Sequence, residues 1–205
     1  MNLRAIHLLA AFFVFAAARE CLAYGFSGPK PCFVGSPDGL ALLRIDPGDT
    51  GDSNRHPAHA SVYKVDAKTG SYQLFSRFYL RNPSAPKNAV ISNDARFIVT
   101  VDDWEPYRGA TQNSVVVYRG TGEILKWWSL EDIFSNEELR RFKFVPSDVP
   151  DRIWHGEAVS VSMDDAIHPV FVWIPWSRDL PWHVGLSLNL SAMTFYKQPE
   201  RDSDR

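Results

Sequence analysis

The stretch AVISNDARFIVTVDDW (Ala89–Trp104), followed after a polar segment by SVVVYRGTGEILKWWSLEDIF (Ser114–Phe134), shows the strand pattern on which the fold depends. It contains four short apolar runs. Ser92-Asn93-Asp94-Ala95 separates the first two runs, and Arg119-Gly120-Thr121-Gly122 separates the second two. Residues of these types close tight turns, because Asn, Asp and Ser cap the backbone and Gly accepts positive φ. The stretch therefore predicts two β-hairpins, which amount to four antiparallel strands.

The same plan recurs on both sides of this stretch. In the first copy, Ser36-Pro37-Asp38-Gly39 joins two apolar runs and the segment 66–70 joins two more. In the third copy, Ser162-Met163-Asp164-Asp165 takes the first position, whereas Ser191-Ala192 at the second is a poor turn signal. An internal repeat of four short strands indicates a repeat architecture.

These copies resemble the repeats of β-propeller proteins. The resemblance lies in the Ser-x-Asp turn, the aliphatic strand after it and the later Thr-Gly or Gly-x-Gly turn; the second copy is similar to those of secreted bacterial proteins with such repeats. It covers most of residues 32–197 and implies an all-β fold of three four-stranded antiparallel propeller-like repeats. Propellers have about four to eight blades, so three repeats leave undecided whether one chain closes a ring. These motifs indicate a fold but say almost nothing about function.

One segment interrupts the β pattern, and we expect it to form a short helical insertion over Leu130–Phe142. Ser135 and Glu138 have the spacing of a capping box, in which each side chain satisfies a free backbone N–H. Leu139 and Phe142 are three positions apart and can share one face of the helix. The segment is therefore predicted to dock on a sheet edge of its own domain; the alternative is a helix that binds a partner.

The N-terminus has the features of a signal peptide. Arg4 precedes an apolar run over residues 5–18, which is too short to span a bilayer comfortably; a short membrane anchor is the alternative. Cleavage is expected after Ala18 or Ala23, giving a secreted or periplasmic protein with no stable membrane span. The predicted divisions are a signal peptide over 1–23, a propeller-like β-repeat domain over 24–197 and a polar tail over 198–205.

The cleavage site decides the chemistry of the two cysteines. Cleavage after Ala18 keeps Cys21 and Cys32, which could then form a disulfide in an oxidising compartment. Cleavage after Ala23 leaves Cys32 alone. In its apolar run that thiol is expected to be buried and inert.

No cofactor or metal is expected from the sequence. No Cys/His cluster has the spacing of a zinc site. Asp46, Asp49 and Asp52 could offer oxygen atoms to calcium, but no Glu follows at the offset that an EF-hand needs. His56 and His59 need not share a face without a helix, so an exposed pair is predicted rather than two metal ligands.

Charge and motifs narrow the classes of function. The net charge is −2 and no Lys/Arg cluster is present, which argues against a nucleic-acid partner. The sequence has no serine nucleophile elbow, P-loop, dinucleotide fingerprint or HExxH motif. Neither observation favours a particular reaction.

Strand order predicts where the long loops lie. In an up-and-down four-stranded sheet, the connection between the second and third strands leaves from the end opposite the two hairpin turns. Here those connections are the long ones, namely Asp46–Ala60, Asp103–Asn113 and Pro175–His183. Since these connections leave from the same end of each sheet, we expect them to gather on one face. Loops on a rigid scaffold are where function tends to lie.

The candidate ligand-binding or partner-binding residues are charged and aromatic side chains in or beside the second and third loops. They are Asp102, Asp103, Trp104, Tyr107, Arg108, Trp176 and Trp182. Exposed aromatic rings beside polar donors suit a sugar ring or a protein partner. The alternative is that these Trp side chains pack between the sheets, since Trp is normally mostly buried.

The sequence favours a secreted, non-catalytic binding module that acts through the face of long loops on a protein or carbohydrate ligand. One alternative is a carbohydrate-active or metal-assisted hydrolase that uses Asp102 and Asp103. Neighbouring strand positions point to opposite sides, however, so the two carboxylates are not expected to face one substrate. A second alternative is a structural part of an envelope assembly. A monomer is favoured over a homodimer in which first and third repeats of two chains meet.

Overall fold

The structure is a computed structural model. It describes residues 30–48, 57–82, 85–86, 88–101, 113–141, 144–145, 151–152, 160–162, 171–174 and 186–197. These residues are mostly antiparallel β-strands, together with two short helices. The expectation of a predominantly β chain with little helix is therefore confirmed.

Three four-stranded antiparallel sheets each use four consecutive strands of their own, in chain order. The first sheet contains β1 (Cys32–Gly35), β2 (Ala41–Asp46), β3 (His59–Val65) and β4 (Tyr72–Tyr79). The second contains β5 (Asn88–Ile91), β6 (Phe97–Val101), β7 (Val115–Arg119) and β8 (Ile124–Trp128). The third contains β11 (Ser160–Ser162), β12 (Phe171–Ile174), β13 (Leu186–Asn189) and β14 (Thr194–Lys197). A separate two-stranded ladder pairs β9 (Phe144–Val145) with β10 (Asp151–Arg152).

The Ser-x-Asp turns are built alike in the first and second sheets. Ser92 Oγ donates to Asp94 Oδ1 at 2.7 Å and accepts the backbone N–H of Phe97 at 2.9 Å. Ser36 Oγ makes the same two bonds, at 2.7 and 2.9 Å, with Asp38 and with the N–H of Ala41. Each hydroxyl thus connects the two ends of its hairpin turn. The motif therefore marks the turn between two strands, and it can be recognised in the sequence.

The second sheet is buried on both faces. On one face, Ile98 and Val116 belong to a cluster that includes the apolar side chains of the first sheet. On the other face, Val99 and Val117 belong to a cluster that includes leucines of the third sheet. A strand buried on both sides reads as a nearly continuous apolar run. This accounts for the FIVTV and VVVY segments, in which only Thr100 and Tyr118 carry side-chain polar atoms.

The helical insertion predicted over Leu130–Phe142 begins at Leu130 as expected, but it is two short helices and not one. Helix α1 (Leu130–Ile133) and helix α2 (Asn136–Arg141) are separated at Phe134 and Ser135. The break has a physical cause, because Ser135 caps the second helix and an N-cap residue lies outside helical geometry. Phe142 lies outside the described residues.

The capping box predicted for the insertion is confirmed. The N–H of Ser135 donates to Glu138 Oε2 at 2.7 Å, and the N–H of Glu138 donates to Ser135 Oγ at 3.3 Å. Leu139 is buried in the cluster between the second and third sheets, together with Leu130 and Ile133. The insertion therefore packs on its own domain.

The sheets of the described residues do not close into a propeller ring. The three four-stranded sheets agree with the prediction of repeated groups of four antiparallel strands. Within the same residues, no helix is long and apolar enough to cross a membrane. The segments predicted as a signal peptide and as a polar tail lie outside the described ranges, as does Cys21.

Candidate functional site

The seven candidate residues in the second and third loops all lie outside the described residues. The structure does describe the strand ends from which the loops leave. Asp46 pairs with His59, Val101 with Val115, and Ile174 with Leu186. Each long loop therefore begins and ends at, or within three residues of, a direct cross-strand pair. We call the ends of the three sheets that carry these pairs the loop end.

The first loop is shorter than the sequence analysis predicted. Asp46 is the last residue of β2 and His59 and Ala60 belong to β3, so the connection between the strands is 47–58 rather than Asp46–Ala60. Two polar residues assigned to a loop are thus fixed side by side on a sheet. The alternation of buried and less buried positions could have predicted that Asp46 belongs to β2, since Asp46 continues the period-two pattern of that strand.

The chain is held firmly where it leaves the second loop. The Nε of Arg81 donates to Asn113 Oδ1 at 2.6 Å, and the Nδ2 of Asn82 donates to the Asn113 carbonyl at 3.2 Å. On the entry side, Val101 is fully buried. Arg81 and Asn82, which follow the last strand of the first sheet, thereby fix Asn113, which precedes β7 of the second sheet.

Asn82 and Tyr118 form the buried centre of this anchor. Asn82 is fully buried, and its Oδ1 accepts the hydroxyls of Thr100 at 3.0 Å and of Tyr118 at 3.4 Å. The Tyr118 hydroxyl in turn accepts the N–H of Arg81 at 2.8 Å. Burial raises the pKa of Tyr118 to about 12, against smaller lowering effects of the hydrogen bonds it receives. The network is uncharged at neutral pH and serves to position the chain.

Arg81 also stacks on an exposed aromatic ring at the loop end. Its guanidinium carbon lies 4.1 Å from the centre of the Trp127 ring, a cation–π distance. Trp127 is 46% exposed, whereas Trp128 is 8% exposed and packs edge-on against Phe195. The two adjacent rings thus face opposite sides of the sheet, as alternation along a strand requires. Sequence reasoning gave Arg81 no role, because its partners are far away in the chain.

An ionic cluster occupies the loop end of the first sheet. Arg44 Nη2 lies 2.6 Å from Asp46 Oδ1, and His59 Nε2 lies 3.4 Å from Asp46 Oδ2. The hydrogen bond to Asp46 and its negative charge raise the pKa of the Arg44 guanidinium. Both oxygens of Asp46 thus face basic side chains, which weakens the calcium hypothesis for this residue; Asp49 and Asp52 lie outside the described residues.

Metal-ligating side chains do not converge in the part of the chain that the structure describes, where no group of three or more His, Cys, Asp or Glu is suitably placed. Cys32 is a half-buried free thiol there, and burial raises its pKa, with a smaller opposing effect of the Ile45 backbone. The thiol is therefore predominantly protonated at neutral pH.

No protein-family model matches the chain. A search of curated proteins finds no match either.

Proposed function

We propose that the chain is a secreted, non-catalytic binding module that acts through the loop end. The observation that carries the proposal is the anchor of the second loop. Arg81 and Asn82 hold Asn113, and beside it the Trp127 ring remains about half exposed under the Arg81 guanidinium. A loop held at a rigid end, next to an exposed aromatic–cation pair, suits recognition of a ligand.

Asp102, Asp103, Trp104, Tyr107 and Arg108 are the proposed contacts from the second loop. Trp176 and Trp182 are the proposed contacts from the third. The ligand is proposed to be a protein or a carbohydrate, because aromatic rings beside charged donors suit both classes.

We also propose that the three sheets are consecutive propeller-like blades within one monomer. Three features support this relation. Each sheet uses four strands in chain order, the second sheet is covered on both faces by its neighbours, and the Ser-x-Asp turns of the first two sheets make the same bonds. Stacked sheets of this kind are how blades bury their faces.

Export is part of the proposal, because the predicted signal peptide makes the protein secreted or periplasmic. The test is intact-mass measurement of the protein purified from its native host. Masses corresponding to a chain that begins after Ala18 or Ala23 support export. An intact N-terminus on a cytosolic protein contradicts it.

The binding function is tested with the mature protein immobilised on a surface. It is exposed to an array of bacterial envelope polysaccharides and to a solubilised extract of envelope proteins. We expect saturable capture that decreases in a Trp127→Ala variant. Turnover in a hydrolase panel that is lost in Asp102→Asn or Asp103→Asn would instead support the enzyme alternative and overturn the proposal.

A further inference from the structure

Within the part of the chain that the structure describes, no other sheet covers one face of the first sheet. Its opposite face, with Leu43, Ile45 and Val62, packs into the cluster shared with the second sheet. Strand alternation places the intervening side chains on the other side. We call this side the outer face; it includes Phe33, Arg44, Asp46, His59, Ser61, Arg77 and Tyr79.

A continuous row of side-chain contacts crosses the outer face from the first strand to the fourth. The Arg44 guanidinium lies 5.7 Å from the centre of the Phe33 ring and is bonded to Asp46. Asp46 meets His59, and the His59 ring meets the Tyr79 ring edge-on at 6.5 Å between centres. The row ends in two aromatic rings, Phe33 and Tyr79, which are 63% and 64% exposed. Neighbouring strands are about 4.8 Å apart, so β1 and β4 are separated by about 14 Å.

The outer face presents more positive than negative charge to the solvent. The side chain of Arg44 is 42% exposed, but that of its partner Asp46 is only 15% exposed. Arg77 is also exposed, and its Nε donates to the hydroxyl of Ser61 at 3.2 Å, a neutral partner. A ligand on this face therefore meets two guanidinium groups and a largely covered carboxylate, an arrangement complementary to anionic groups.

The direction of the row narrows the kind of polymer that fits. It runs across the strands, from β1 to β4, and not along a sheet edge. A peptide that adds to a sheet does so at an edge, where its backbone continues the hydrogen-bond ladder. On the outer face only side chains are available, and these are aromatic rings alternating with fixed charges. A chain of rings that carry anionic groups matches this surface better than an extended peptide does.

We propose that the outer face is a binding site for an acidic polysaccharide, whose sugar rings contact Phe33 and Tyr79 and whose carboxylates contact Arg44 and Arg77. The inference extends the binding role proposed above, but it depends on no residue of the second or third loop. Failure of the loop proposal and failure of this one are therefore distinguishable.

The test is calorimetric titration of the mature protein with oligosaccharides of alginate and of polygalacturonate, which carry one carboxylate per sugar. Neutral cello-oligosaccharides and a polyglutamate peptide of equal charge serve as comparison ligands. We expect at least one uronate ligand to bind, with affinity that falls as salt is raised. Phe33→Ala, Tyr79→Ala and Arg77→Gln should each weaken that binding by about tenfold, as loss of a central aromatic or arginine contact does.

Matched control variants lie away from the outer face. Phe75 is 47% exposed and belongs to the same strand as Tyr79, but its ring lies under Lys64 Nζ at 4.2 Å and faces the second sheet. Tyr196, 51% exposed, lies on the third sheet. Phe75→Ala and Tyr196→Ala should leave uronate binding unchanged. Thermal unfolding of every variant confirms that it is folded.

Several results would overturn the inference. Absence of binding to both uronates is one, and polyglutamate binding as tight as that of the uronates is another, since it would show recognition of charge alone. Uronate binding that survives all three outer-face variants but is lost in Trp104→Ala would place the site in the loops. A stable dimer that the Phe33→Ala variant dissociates would assign the face to a second copy of the chain.

Discussion

At the scale of single residues, Gly120 shows how closely two turns of the second sheet approach. A Cβ at this position would overlap the backbone oxygen of Ala95, far inside contact distance. Gly120 also accepts a short hydrogen bond from Ser76 of the first sheet through its carbonyl. A side chain here would have to displace the backbone of Ala95.

The first prediction is that Gly120→Ala lowers the free energy of unfolding by about 1–3 kcal/mol, the usual cost of overpacking. Urea denaturation monitored by Trp fluorescence provides the measurement. The control is Gly35→Ala, because a Cβ on Gly35 would meet nothing within 4 Å. Equal stability of the two variants would contradict the close approach of the two turns.

The second prediction concerns Tyr118 and alkaline pH. Its pKa is raised from the ordinary 10.0 to about 12 in the folded protein. The neutral phenol therefore contributes stability that is fully present below about pH 10 and is lost as pH rises toward 12. Each tenfold difference in proton affinity between the folded and unfolded chains corresponds to about 1.4 kcal/mol. Tyr118→Phe should remove this part of the alkaline loss. It should also cost about 1–3 kcal/mol at pH 7, because the Arg81 N–H loses its acceptor.

The measurement is the free energy of unfolding of wild type and Tyr118→Phe at several values of pH between about 8 and 12, a range that spans the ordinary pKa and reaches the raised one. The other tyrosines and the lysines titrate in both proteins, so the difference between the two curves isolates Tyr118. A difference that stays constant through this range would contradict the raised pKa.

Local residue patterns could be predicted from the sequence, and long-range partners could not. The Ser-x-Asp turns follow from side chains that bond within five positions of themselves. Asn82 and Arg81 bond to residues between 18 and 37 positions away, so nothing near them in the sequence reveals their roles. The contact between Asp46 and His59 was missed for a similar reason, since it depends on the register of two strands.

At the scale of secondary-structure elements, Asn189 accounts for a hairpin turn that sequence reasoning rated as weak. Asn189 Oδ1 accepts the N–H groups of Ser191 and Ala192, each at 2.9 Å. Met193 completes the turn with a positive φ of 50°. The turn is therefore built by the residue that ends β13 and not by the Ser191-Ala192 pair, which explains why composition alone gave little signal.

The third prediction is that Asn189→Ala lowers the free energy of unfolding by about 1 kcal/mol, the typical loss when a capping acceptor is removed. Asn189→Asp should remain close to wild type, because a carboxylate oxygen can accept the same two N–H groups. Guanidinium denaturation of the three proteins is the measurement. Equal losses in both variants would show that the acceptor is not what matters.

The sequence contains a capping box for each of the two helices, but only one of them was predicted. Ser135 and Glu138 predicted one capping box correctly. Ser129 and Asp132 form another, with the N–H of Ser129 donating to Asp132 Oδ2 at 2.8 Å and the N–H of Asp132 donating to Ser129 Oγ at 3.2 Å. Asp in place of the usual Glu or Gln hides this second box from the motif. Because the N-cap residues Ser129 and Ser135 are only six positions apart, the first helix is short and the segment forms two helices.

At the scale of the whole molecule, the β content and the three groups of four strands could be predicted, because each hairpin is encoded locally by alternation and turn residues. The stacking order could not, since it depends on contacts between sheets. The candidate site was predicted only as a set of loops. The structure adds the paired strand ends, the anchor at Asn113 and the exposed Trp127 beside them.

The fourth prediction is that the purified mature protein is a monomer that binds little apolar dye. The helices pack between the second and third sheets, so they do not cover the outer face of the first. That face tolerates water because Arg44, His59 and Arg77 interrupt its aromatic residues, and a continuous apolar patch is avoided. Multi-angle light scattering with a dye-binding assay is the measurement. A stable dimer would contradict the prediction.

The most direct test of the proposed binding function is the free energy of unfolding of Trp104→Ala and Trp176→Ala, measured beside their capture of the envelope ligand. If these rings serve recognition at the loop end, each change should cost less than about 1 kcal/mol of stability while ligand capture falls by about tenfold or more. A loss of about 3–5 kcal/mol in either variant, as when a buried Trp is truncated, would show that the rings belong to the core and would contradict the proposal.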